Sequence, residues 1–446
     1  MFEKVLVANR GEIAARIIKT CKRMGIATVA IYSDADAKAP HVLLADESVR
    51  VGESHVTKSY LDVAAVVAAV RDTGADAVHP GYGLLSENAE FVASIEAAGA
   101  TFIGPSPEVM ALMGDKARAR AFAAEAGVPV VPGTPGPVTT DEEAIAFAAE
   151  VGYPVLVKAS GGGGGIGMKL VKKEKKLIKA IEECRRRGES SFGNSDVYIE
   201  KYIVEPRHIE VQILADSHGN TLHLFERECS VQRRHQKVIE EAPSPLVERT
   251  EGMRERITSA AVALSKASNY VNAGTVEFIS DAKGEFYFIE MNTRLQVEHP
   301  ITEAITGLDI VEWQLRIAFG EELGFTQDDL AIDGHAIECR VYAENPDKMF
   351  MPAPGHIDAY VEPTGEGIRV DSGVTADYAV TSYYDPMVAK VVAHGADRAQ
   401  ATARMHAALS SYTIGGLTQN LSMHLDVLSD PVFESGDYHT GWLESR

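Results

Sequence analysis

The chain has 446 residues, 45% of them hydrophobic and 24% charged, which suits two or three packed units and excludes a disordered polymer. No apolar run approaches the roughly 18–20 residues of a membrane span. With 43 Lys and Arg against 64 Asp and Glu, the formal net charge is −21, which argues against a nucleic-acid binder and leaves any anionic substrate to a few placed cations.

Taken in order, the sequence first alternates strand and helix signals. Met1-Phe2-Glu3-Lys4-Val5-Leu6-Val7 enters an apolar strand without a secretory pattern, which predicts a cytoplasmic protein. Ile13, Ala14, Ile17, Ile18 and Cys21 recur at helical spacing, Gly25 ends that helix, and Ala27–Tyr32 is a second strand. Helices about Leu61–Val70 and Ala89–Ala98 lead into strands at Ala75–Val78 and Thr101–Ile103. Such alternation predicts a parallel sheet with helices on both faces. A helix about Ala117–Ala126 stops at Gly127-Val128-Pro129, and a turn-rich link precedes a smaller unit that ends near Tyr202. Strands follow at Ile209–Leu214, Thr221–Glu226, Thr275–Ser280 and Phe286–Glu290. A helical region spans Glu303–Phe319, and the end mixes short strands with a helix at Ala399–Ser410. The run Lys172–Lys176 reads as a solvated surface. Cys21, Cys184, Cys229 and Cys339 lack metal or redox spacing and read as free thiols of a reducing compartment.

Four places carry chemistry. Asn9-Arg10-Gly11-Glu12 links a strand to a helix, where dinucleotide folds keep a pyrophosphate loop, but it has one glycine and not the three-glycine fingerprint. A support domain without cofactor is the better reading. Gly161–Gly165 lies between the strand Pro154-Val155-Leu156-Val157-Lys158 and a second strand, Lys169-Leu170-Val171. Residues without Cβ let backbone N–H groups approach phosphate oxygens, so this reads as a lid over nucleotide phosphates, against the alternative of a flexible linker. Glu277 and Glu290 sit in strands joined by a turn and are flanked by apolar residues. Neighbouring carboxylates there suit Mg²⁺, the alternative being two ordinary acids on a solvated sheet face. Asn292, Arg294, Gln296 and Glu298 then occupy alternate positions, which predicts one shared face if the segment is extended. An arginine beside a carboxylate fits a small oxyanion that must be held and deprotonated.

Lys4–Ala14, His79–Asn88, the glycine loop and Glu290–His299 together resemble the biotin carboxylase family, and the likeness runs to the closing Tyr438–Glu444. That resemblance implies an α/β and α+β multidomain protein. Its parts are a Rossmann-like N-terminal domain (1–113), an ATP-grasp fold in two parts (114–204, with the lid at about 131–204, and 205–330), and a β-rich C-terminal domain (331–446). It implies ATP contacts from Lys116, Lys158, Gly164 and Gly165, an adenine hinge at Glu200, Lys201, Tyr202 and Ile203, and ribose and phosphate contacts from His208, Gln232 and His235. Glu277 and Glu290, with Asn292, match the ligands of two Mg²⁺ ions, for which Mn²⁺ can substitute. Lys237, Arg294, Gln296 and Val297 match the bicarbonate pocket, Glu298 its general base, and Tyr82 and Arg340 the biotin site, with Arg340 stabilising deprotonated biotin.

The implied reaction is carboxylation of biotin by ATP and bicarbonate through carboxyphosphate, with a carboxyl carrier and a carboxyltransferase as partners and a homodimer as the assembly. Neither nucleic acid nor membrane is implied. The only Met-Lys pair, Met168-Lys169, lacks a following Met, so biotin is expected on another polypeptide or portion. One departure is Ile166, where relatives commonly carry Arg or Lys. Rival readings are another ATP-grasp ligase, a non-catalytic subunit that holds a carboxyltransferase, and a dehydrogenase.

Overall fold

A computed structural model describes residues 1–163, 166–192 and 194–446. The first unit is a five-stranded parallel sheet in the spatial order Glu47–Gly52, Ala27–Ser33, Lys4–Val7, Ala77–His79, Thr101–Phe102. Its central strand is continuous apolar sequence because helices cover both faces: Val5 and Val7 join one core with Ile13, Ile17 and Ile18, while Leu6 joins another with Val66, Val70 and Phe91. The edge strand Glu47–Gly52 escapes a hydrophobicity reading because half of it is exposed and only Val51 is buried. Gly11 adopts φ 67° and turns the chain from strand into helix. The space where a pyrophosphate would sit is filled by the C-terminal part of the chain, since a Cβ on Gly373 would lie 2.6 Å from the Glu12 amide nitrogen. That contact is a physical reason to set aside the dehydrogenase reading.

A small unit follows, with a three-stranded antiparallel sheet in which Val155–Gly163 lies between Ile166–Val171 and Val197–Lys201. Helices Asp141–Val151 and Leu177–Phe192 cover it, with Val155, Val157, Ile181 and Ile199 at its core. Lys172–Lys176 is exposed, as its charge predicts. Gly164 and Gly165 lie outside the described residues.

The largest sheet has eight antiparallel strands. In order they are Phe286–Asn292, Asn272–Ser280, Arg207–Ala215, Thr221–Arg233, Gln236–Ala242, His335–Tyr342, Met387–Gly395 and Ile368–Ser372. One sheet therefore joins residues 205–330 to residues 331–446. The expected helical region Glu303–Phe319 consists of two helices, His299–Thr306 and Ile310–Ala318. Gly307 takes φ 71° at the break, and the Asp309 side chain caps the second helix by accepting from Glu312 N at 2.8 Å. Among the described residues, no helix is long and apolar enough to cross a membrane.

Candidate active site

A cavity of about 1260 Å³ lies between the small unit and one face of the eight-stranded sheet. Glu200, Lys201, Tyr202 and Ile203 line one end, with Thr440 from the last residues of the chain. Thr440 N donates to Pro206 O at 2.9 Å and fastens that end. Lys116, His208, Gln232, His235 and Lys237 line the middle, with Glu277, Glu290 and Asn292. Arg294, Gln296, Val297, Glu298 and Arg340 line the far end. Lys158 does not line this cavity; it bonds Glu200, which also accepts from Arg120 at 2.8 Å. Burial acts to raise the Glu200 carboxyl, but these two cations hold it below its ordinary range.

In the middle, strand register aligns three acids. Glu277 opposes Glu290 on one side and Glu210 on the other, so all three side chains leave one face. Such a row repels itself unless cations intervene. Lys237 Nζ donates to Glu210 at 2.5 Å, to Glu277 at 3.0 Å and to Glu298 at 2.7 Å. His208 Nε2 lies 2.9 Å from Glu277, and Asn292 and Gln296 donate to the same carboxylate at 2.8 and 2.6 Å. Against the effect of burial, Lys237 and His208 hold Glu277 well below the usual carboxylate range. Glu290 is less enclosed and pairs at 3.0 Å with Lys116, itself 81% exposed and free to swing aside. Glu277, Glu290 and the Asn292 amide oxygen thus offer only hard oxygen donors in a row that needs positive charge, which fits Mg²⁺.

The far end departs from expectation. Residues 293–298 are not an extended run with alternating faces; the chain turns at Val297 and Glu298 and enters a helix at His299. Pro300, in the first turn of that helix, fixes the entry. Arg294 does not pair with Glu298. It donates to Glu87 at 3.0 Å and to Asn292 Oδ1 at 2.8 Å, so Glu87 of the His79–Asn88 segment reaches the site. The partners of Glu298 are Lys237, on one oxygen, and Arg340, which donates to the other at 2.9 Å. Burial acts to raise Glu298, yet Lys237, Arg340 and Arg227 together hold it well below its ordinary value. Lys390, fully buried, donates to the Val297 carbonyl at 2.6 Å and lies 3.4 Å from Glu12, fixing the loop from behind.

A second pocket, about 450 Å³, shares Gln236, Val297 and Arg340 with the first and includes Tyr82, Gly83 and Leu84. Arg340 is therefore common to both chambers. The Tyr82 hydroxyl bonds Glu12.

Sequence reasoning missed the supports. Glu210, Arg227, Glu240 and Lys390 are all fully buried. Arg227 donates to Glu210 at 2.5 Å, to Gln212 at 2.7 Å, to Thr302 at 2.9 Å, to Thr275 at 3.1 Å and to Gln296 at 2.5 Å. Ile209-Glu210-Val211 has the same apolar flanks that single out Glu277, so this signal could have found Glu210. Arg227 lies between Glu226 and Glu228, and Glu240 stands beside Glu241, so neither has apolar residues on both sides.

Three family models match the chain: "Biotin carboxylase, N-terminal domain" over residues 1–110, "Carbamoyl-phosphate synthase L chain, ATP binding domain" over 115–326, and "Biotin carboxylase C-terminal domain" over 338–445. Biotin carboxylase 2 of Bacillus subtilis (strain 168) is 52% identical over 446 residues, covering 100% of both chains. The biotin carboxylase subunit of a pyruvate carboxylase has a crystal structure with TM-score 0.94 and 48% identity, covering 100% of this chain and 98% of that one. The biotin carboxylase domain dimer of Hydrogenobacter thermophilus 2-oxoglutarate carboxylase, in complex with MgADP, ADP and bicarbonate, gives TM-score 0.87 and 47% identity, covering 100% and 98%.

Proposed function

This chain belongs to the biotin carboxylase family, and we propose that the two chambers meeting at Arg340 bring ATP, bicarbonate and carrier-borne biotin together. The enzyme is an ATP-grasp ligase that carboxylates biotin at the expense of ATP and bicarbonate. One observation carries the assignment of residues: a buried carboxylate, Glu298, is held between Lys237 on the phosphate side and Arg340 on the side of the second pocket.

In this reading Lys116 and Lys158 take the ATP phosphates, a role the family resemblance also gives to Gly164 and Gly165, which lie outside the described residues. Glu200, Lys201, Tyr202 and Ile203 take the adenine, and His208, Gln232 and His235 the ribose and phosphates. Glu277, Glu290 and Asn292 hold Mg²⁺, which supplies positive charge to the phosphates when bound. Mn²⁺ substitutes for it.

Arg294, Gln296, Val297 and Lys237 hold bicarbonate, and Glu298 takes its proton as a bicarbonate oxygen attacks the γ-phosphorus and ADP leaves. A carboxylate held so far down is a weak base until its cations are drawn away. As Lys237 turns to the transferring phosphoryl group and Arg340 to biotin, only Arg227 of these three cations still opposes burial at Glu298, and its basicity rises. The carboxyphosphate formed breaks into CO₂ and phosphate, and the phosphate takes the ureido proton of biotin. Arg340 stabilises the resulting anion electrostatically as it attacks CO₂, with Tyr82 lining the biotin pocket.

This sequence has no Met-Lys-Met attachment motif, which supports biotin borne on another polypeptide or portion, and a carboxyltransferase partner determines the final acceptor. A homodimer is supported by the dimer of the Hydrogenobacter relative. Four buried free cysteines suit a cytoplasmic location. The residue ranges 1–113, 114–204, 205–330 and 331–446 serve as working divisions. ATP hydrolysis with bicarbonate, measured with and without free biotin, tests the reading: biotin should stimulate it, and no response to either substrate would overturn it.

A further inference from the structure

Behind Arg340 stand two carboxyl groups that have no role in this scheme. Glu240 and Glu338 oppose each other on the strands Gln236–Ala242 and His335–Tyr342, so both side chains leave one face, and both are fully buried. Arg340 donates to Glu240 Oε1 from Nε at 2.6 Å, and its Nη2 lies 2.5 Å from the same oxygen. The other Glu240 oxygen and both oxygens of Glu338 have no hydrogen-bond partner among the described residues. Helix His299–Thr306 closes this face, its Ile301 and Ile305 packing with Ala242, Ala336 and Val392, and Val392 opposes Glu338.

We propose that Glu240 is the positioning residue of Arg340, the anion that sets where its guanidinium points, and that Glu338 stays a neutral acid, so that the pair contributes one negative charge. The proposal rests on the reading of Arg340 as the group that meets biotin. Two adjacent buried carboxylates cannot both ionise without compensation, and the charge settles where donors are. Glu240 has two from Arg340; Glu338 has none. An anion at position 338, two residues from Arg340 on the same face, would also draw the guanidinium inward, away from Glu298.

The surrounding charged groups supply no other partner. Lys390, which opposes Arg340, donates to Val297 O, and Lys237, on the strand of Glu240, is engaged by Glu210, Glu277 and Glu298. On the covering helix, Glu303 is held by Arg16 and Arg369, while burial with the charges of Lys390, Arg16 and Arg369 keeps His299 neutral. Titration behaviour agrees. Burial raises Glu338 well above the carboxylate range, and it pushes Glu240 up to about 7 against the pull of Arg340. As pH falls through that value Glu240 gains a proton and loosens its hold, so the biotin-dependent rate acquires an acid limb.

Infrared difference spectra and biotin kinetics on Glu338→Gln and Glu240→Gln test this. At mildly alkaline pH the wild-type protein should show a protonated-carboxyl C=O band that Glu338→Gln removes and Glu240→Gln retains. Glu240→Gln should lower kcat/KM for free biotin by at least about tenfold and lose the acid limb, whereas Glu338→Gln should lower it by less than about threefold. Equal losses in the two variants, a wild-type protein without the band, or a Glu240→Gln enzyme that keeps the limb would each overturn the proposal. Should Glu240→Gln fail to fold, Glu240→Asp replaces it and should lower kcat/KM while keeping the limb; unchanged kcat/KM would count against the proposal. Absence of biotin stimulation in the wild-type enzyme would instead sink the functional reading, leaving the infrared result to decide the charge of Glu338.

Discussion

The N-terminal parallel sheet and the eight-stranded sheet are both buried, but they differ in how much charge they bury. Val5, Leu6, Val7, Ala77 and Val78 bring only hydrocarbon to the first. The second buries Glu210, Arg227, Glu240, Glu338 and Lys390 as completely. Hydrocarbon cores stabilise by area removed from water and tolerate exchange of one apolar residue for another. Buried ions add little net stability against hydrocarbon of equal volume, yet each depends sharply on its partners. The first sheet holds the molecule up, and the second stores charge where the chemistry needs it.

Substitutions at matched burial sharpen that contrast. The largest effect is expected at Glu298. Glu298→Gln should cut the maximal rate by roughly 10²–10⁴-fold, the usual worth of a positioned base, while nucleotide titration shows ATP affinity retained; lost affinity would mean that the residue serves binding. Arg227→Met leaves Gln296 Oε1 and Glu210 Oε1 without their buried donor, with only Lys237 still donating to Glu210. It should cost about 3–5 kcal/mol in denaturant unfolding and also slow the enzyme, because Gln296 is a member of the site. Leu6→Ala in the parallel sheet should cost about 2–5 kcal/mol, with the rate per folded molecule unchanged. A comparable loss of rate would break the division of labour between the sheets. The smallest effect is expected at Ile166→Arg in the glycine loop, where the KM for ATP should change by less than about tenfold, or 1.4 kcal/mol.

The same contrast explains what the sequence could disclose. Apolar runs such as Lys4–Val7 and Ala27–Ser33 advertise a strand buried on both faces. Gln236–Ala242 carries Lys237, Glu240 and Glu241 in seven residues and resembles surface sequence, yet most of it is buried because its charges on both faces meet other ions, Glu240 with Arg340 and Glu241 with Arg398. Glu277 and Glu290 stood out against apolar neighbours, and register alone then brought them together. The loop at 293–298 does not meet the condition of an extended strand, because alternation of polar residues is also what a tight turn into a proline-headed helix can show. The pairing of Arg340 with Glu298, 42 residues apart, belongs to tertiary structure and has no local signature.

Lys390 gives the site a schedule. Its ammonium grips the Val297 carbonyl from 93 residues further along the chain, and its neighbour Glu12 comes from the first helix. During synthesis the loop bearing Glu298 must wait, complete in sequence but unfastened, until the strand Met387–Gly395 has emerged and joined the sheet. A nascent polypeptide should therefore be unable to spend nucleotide before it is nearly finished.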